Sequence, residues 1–130
     1  MYVDMVDIWA RSSDQIRALC DSLDIKYFHF LQPNLHYPGS KPLSDLEKAR
    51  IASEKDGLGP IVVQAYPLLI QRGKALAASG EIFDDLSMAF EETDETMYKD
   101  GCCHLNTTGY DKIAERVGSF IISQSDRRDD

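Results

Sequence analysis

The chain has 130 residues, 43% of them hydrophobic, and a formal net charge of −8. That length suits one domain or part of one. The acidic balance disfavours nucleic acid and anionic membrane surfaces, which both select basic patches, and no apolar run approaches the roughly 20 residues of a membrane span.

The opening residues Tyr2, Val3, Asp4, Met5, Val6 and Asp7 have no basic flank and carry acids within the apolar part. They do not read as a secretory signal, so a cytoplasmic location is expected. The three cysteines are Cys20, Cys102 and Cys103. An odd number with two adjacent is a poor disulfide framework, and reduced thiols are expected.

In chain order, residues 2–23 predict one helix. Val3, Val6, Ala10, Ile16, Cys20 and Leu23 recur at helical spacing, with Trp9 and Leu19 widening the stripe. Residues 25–31 (IKYFHFL) predict a strand that is apolar on both faces, as in a parallel sheet covered by helices. His29 inside it reads as a core histidine bonded to backbone. Gln32 and Asn34 follow at the carboxyl end of the strand, where open α/β sheets place their ligands. They are candidate substrate-binding residues, with turn building as the alternative. His36 reads as a solvated loop residue.

Ser44 and Glu47 form a capping-box pattern that opens an outer, charged helix running to about residue 55. Gly57 and Gly59 break it. A second helix is predicted over 60–79, with Pro67 kinking or breaking it and Gly80 ending it. Residues 82–86 read as extended, 87–90 as one turn and 91–95 as an acidic loop.

The stretch 98–122 (YKDGCCHLNTTGYDKIAERVGSFII) carries the most chemistry. Asp100 and His104 flank a tight loop containing Gly101, and Asn106 caps a helix whose apolar face is Tyr110, Ile113, Ala114, Val117, Phe120 and Ile121. A histidine fixed at such a corner, with a carboxylate nearby, suits general-base work. Cys102, Cys103 and His104 are too closely spaced to converge on one tetrahedral ion, so no metal and no cofactor is expected.

This block resembles the last conserved block of the SGNH (GDSL-type) serine hydrolases, in which Asp and His in a D-x-x-H pattern precede a helix. Here the Asp100-to-His104 spacing is one residue longer, followed by Leu105, Asn106 and Gly109. The resemblance implies an α/β fold, part of a three-layer αβα sandwich with a parallel sheet (flavodoxin-like). It also implies an ester hydrolase whose catalytic base is His104 and whose orienting acid is Asp100, acting on a small ester substrate. Residues 1–124 would form the C-terminal part of that domain, and 125–130 a charged tail. The family's Gly-Asp-Ser nucleophile motif does not occur in this sequence. The chain is therefore expected to lack the nucleophile, and to pair with a missing N-terminal half or form a homo-oligomer. The alternative is a non-catalytic interaction module that pairs through an exposed sheet edge.

Overall fold

The computed structural model describes residues 1–53 and 57–125. The far end of the helix expected to reach residue 55, and residues 126–130 of the charged tail, lie outside them. The chain is mixed α/β: α1 (Tyr2–Ser22), β1 (His29–Leu31), α2 (Asp45–Ser53), α3 (Leu58–Ala78), β2 (Phe83–Asp85) and α4 (Thr107–Ser125). β1 and β2 form a two-stranded parallel sheet with His29 opposite Phe83, Phe30 opposite Asp84 and Leu31 opposite Asp85. No helix among the described residues is long and apolar enough to cross a membrane.

The caps set the helix ends. α1 stops in a Schellman motif: the Ile25 N–H reaches the Cys20 carbonyl (2.9 Å) and the Asp24 N–H reaches Asp21 (3.2 Å). The motif requires a left-handed residue, and Asp24 supplies it at φ 55°. α3 ends the same way through Gly80, at φ 97°, with Glu81 N–H on the Leu76 carbonyl (3.1 Å).

Three elements depart from the sequence reading. The expected strand over 25–31 is regular only over His29–Leu31, because its described partner offers only Phe83–Asp85 to pair with. Of the kink or break expected at Pro67, the break does not occur, since α3 is one continuous helix. Pro67 removes the donor that the Val63 carbonyl would have used, but both residues lie on the exposed side of the helix, where solvent can replace it. On α1 the buried stripe is Val6, Ala10 and Ser13, while Val3, Ile16, Leu19 and Leu23 remain 46–61% exposed.

Side chains alternate across the short sheet as the pleat requires. Leu31 packs with Val62 and Tyr66 of α3, and Phe83 and Leu69 border that cluster. Gly73 lets α3 approach the sheet: a Cβ there would lie 2.1 Å from Cζ of Phe83. On the opposite face, Phe30 meets Phe120 of α4 edge-on at 5.6 Å between centroids. A second core cluster of Leu35, Phe90, Met97, Tyr98 and Leu105 lies directly under the loop that carries Asp100 and His104.

Candidate active site

Residues on either side of the 100–103 loop run antiparallel. Tyr98 bridges Leu105, the Lys99 N–H reaches the His104 carbonyl (2.9 Å), and the Asn106 N–H reaches the Met97 carbonyl (2.8 Å). Asp100 therefore enters the turn as His104 leaves it. Oδ1 of Asp100 accepts the N–H groups of Cys102 (3.0 Å), Cys103 (3.1 Å) and His104 (3.3 Å). Its other oxygen, Oδ2, meets Nδ1 of His104 at 2.5 Å. The additional residue in the Asp-to-His spacing is absorbed by this wrap of N–H groups around one carboxylate oxygen. Gly101 contributes its carbonyl, which accepts from Nε2 of His36 at 2.7 Å. The glycines of positive φ are Gly39, Gly57 and Gly80.

An ionised carboxylate only accepts hydrogen bonds, so Nδ1 of His104 is the donor to Asp100, which makes Nε2 the acceptor nitrogen of the neutral ring. Nε2 bonds to no described residue, and the side chain is 60% exposed. Burial pushes the Asp100 carboxyl up, but hydrogen bonds from His104 and the loop N–H groups outweigh it and hold the carboxyl down at about 2. Asp100 thus stays ionised beside the ring over the whole physiological range.

His104 borders a cleft of about 220 Å³ with Gln32, Pro33, Cys103, Leu105, Tyr110 and Ile113. Gln32 is exposed at the carboxyl end of β1 and shares the cleft. Asn34 is buried and does not border it. Its Oδ1 accepts the His36 N–H (3.0 Å), and its carbonyl accepts from Ser40 Oγ (3.0 Å), so it builds the turn.

A buried scaffold holds the loop. The capping box is present: Ser44 N–H donates to Glu47 Oε2 (2.9 Å) and Glu47 N–H to Ser44 Oγ (3.3 Å). Glu47 does more than cap. Its Oε2 also takes Nζ of Lys41 (2.7 Å), and its Oε1 takes the N–H groups of Met97 (2.9 Å) and Tyr98 (3.1 Å). Arg50 donates to the Tyr98 carbonyl at 2.5 Å. α2 is the outer helix its charge suggests, exposed along most of its length, and its one buried residue, Glu47, ties it to the loop. Asn106 caps α4 by accepting the Gly109 N–H (2.8 Å) and holds the Thr96 carbonyl through Nδ2 (2.5 Å).

Sequence reasoning missed Glu47, Arg50 and His36 as supports of this loop. The capping pattern marked Glu47 as a helix start, but no local spacing links it to residues fifty positions later. It also treated all three cysteines as reduced thiols. The structure joins Cys102 to Cys103 and leaves Cys20 free. The two residues are adjacent in sequence, inside the turn whose N–H groups wrap Asp100. The His29 ring bonds not to backbone but to side chains: its Nδ1 lies 2.6 Å from Ser13 Oγ and 2.7 Å from Glu81 Oε1. Serine and carboxylate share one ring nitrogen there, so the cluster lacks the relay geometry of a triad.

Comparison of the chain with protein-family models, curated proteins and solved structures finds no match.

Proposed function

We propose that this chain is the C-terminal part of an SGNH-type ester hydrolase and supplies the acid–base half of a Ser-His-Asp triad. The observation that carries the reading is the 2.5 Å contact between His104 Nδ1 and Asp100 Oδ2, with Nε2 bonded to no described residue and the side chain beside the cleft. A serine from the Gly-Asp-Ser segment that this chain lacks would attack the ester carbonyl. His104 Nε2 would accept the serine proton and then return it to the leaving alcohol, while Asp100 stabilises the imidazolium. Helices on both faces of a parallel strand pair support the three-layer αβα sandwich. The dyad near the carboxyl end of β1 is where such sheets bind ligands. Sugar acetyl groups, lipids and small acyl esters all carry the scissile ester bond, so the reading names the bond and not the ester.

The test is an in-frame fusion of an N-terminal Gly-Asp-Ser-bearing segment from an SGNH hydrolase to Met1, assayed on p-nitrophenyl acetate. Hydrolysis should appear in the fusion and vanish in the His104→Ala fusion. Equal turnover with and without His104 sinks the assignment.

A second reading, a non-catalytic module that pairs through its surface, is favoured by the α1 face that exposes Ile8 and Leu19 at 56% and 61%. β1 and β2 each also keep one edge unpaired among the described residues. In that reading the fusion stays inert.

A further inference from the structure

Cys102 and Cys103 lie inside the turn that holds the dyad together. The backbone N–H of each donates to the same oxygen of Asp100 whose carboxylate pairs with His104, and Cys103 also borders the cleft. Both side chains are half-exposed, within reach of a small disulfide or thiol. Their sulfurs are joined across one peptide bond, while Cys20 stands apart on α1.

We propose that Cys102–Cys103 is a reversible dithiol–disulfide site whose closure shapes the loop that holds Asp100 against His104. Closing a ring over adjacent residues removes backbone freedom from the segment between acid and base. The closed loop presents its N–H groups to Asp100 as a preformed set. Opening the ring returns that freedom and competes with the wrap. Electrons balance through thiol–disulfide exchange. A Cys102 or Cys103 thiolate attacks a low-molecular-weight disulfide, giving a mixed disulfide and one free thiol. The neighbouring thiolate then displaces the second thiol and forms the Cys102–Cys103 bond. The pair loses two electrons and two protons, and the small disulfide becomes two thiols. The reverse exchange reopens the ring.

The proposal does not depend on ester hydrolysis and is tested on the chain itself. The protein is equilibrated in oxidised or in reduced glutathione and alkylated with iodoacetamide, and the labels are counted by intact mass. Cys102 and Cys103 should carry neither label nor glutathione in the oxidised buffer, whatever the state of Cys20, and all three cysteines should be labelled in the reduced one. Peptide mapping should place the loss of two hydrogens on the peptide holding residues 102 and 103. The NMR signals of the His104 ring and the Asp100 carboxyl carbon should move between the two forms. In Cys102→Ser, and independently in Cys103→Ser, those signals should no longer respond to the buffer, while signals from α3 stay unchanged. Label on Cys102 or Cys103 in the oxidised buffer, or glutathione retained on either of them in place of an internal bond, overturns the site. Ring closure that leaves the Asp100 and His104 signals unmoved overturns its coupling to the dyad.

Discussion

Lys41 and Glu47 form an ion pair at 2.7 Å with both side chains fully buried, and the free oxygen of that pair carries the backbone of Met97 and Tyr98. The carboxylate is stabilised by an ammonium on one side and amide N–H groups on the other. Glu47→Gln leaves the Lys41 charge buried without its counter-ion. It should cost about 3–5 kcal/mol of stability, read from denaturant midpoints. The double variant Lys41→Met, Glu47→Leu removes both charges and should recover part of that loss. It should remain about 2 kcal/mol or more below the parent, because two buried N–H groups lose their acceptor. Full recovery would show that Met97 and Tyr98 find other partners.

In the Gly-Asp-Ser fusion, His104→Ala should lower kcat by about a thousandfold or more with KM little changed, since a general base acts on the transition state. Asp100→Asn should also lower kcat heavily, because the amide NH2 can pair with the wrong ring tautomer. Turnover near that of the parent in Asp100→Asn would mean that another group orients His104.

Asp100 and Glu47 both hold depressed carboxyl pKa values, Asp100 down from 3.8 to about 2. A carboxyl depressed on folding contributes stability above its unfolded pKa and loses it as the pH falls through the folded one. The chain should therefore keep its full stability above about pH 5 and lose it progressively from about pH 4 to 2. Asp100→Ala should flatten the lower part of that curve. Its partly exposed position makes its share smaller than that of Glu47. A stability that is flat from pH 5 to 2 contradicts both assignments.

Asp24 holds the left-handed position that ends α1. Glycine relieves a left-handed penalty of about 1–2 kcal/mol, offset by about 0.4–1 kcal/mol of added freedom in the unfolded chain. Asp24→Gly should raise the unfolding free energy by about 0.5–1 kcal/mol on that balance. A lower Tm would indicate that the Asp24 side chain contributes more than its backbone costs.

Ile8 and Leu19 lie eleven residues apart on α1, on nearly the same helical face, and both are exposed. Sedimentation should show concentration-dependent self-association of the isolated chain, and Ile8→Lys with Leu19→Lys should shift it toward monomer. A monodisperse parent over the same range counts against an apolar docking face.

The legible features were those with local signals. Asn106 before the α4 stripe, Gly80 after α3 and the Ser44–Glu47 pair each satisfy donors or acceptors within a few residues, and each was readable. The contact between Asp100 and His104 was also suggested by their nearness in sequence. What stayed hidden depends on distance along the chain. Glu47 reaches Met97 across fifty positions, and His29 meets Glu81 across fifty-two. The stripe of α1 was misread because periodicity marks an apolar face without saying whether a neighbour covers it. The strand over 25–31 was overdrawn because composition favours extended backbone, whereas a strand's regular length is set by its partner.

Gly109 sits where the first turn of α4 meets residue 97: a Cβ there would lie 2.6 Å from the Met97 carbonyl oxygen. Its N–H is also the one that Asn106 caps. Any chain that folds this loop the same way must keep a residue without a side chain at that place, three positions after an Asn that both caps and clamps. This converts a steric fact into a search criterion: Asp, three residues, His, one residue, Asn, two residues, Gly. Relatives too distant for overall similarity would be recognised by that spacing, with a buried Glu about fifty residues upstream as an independent check.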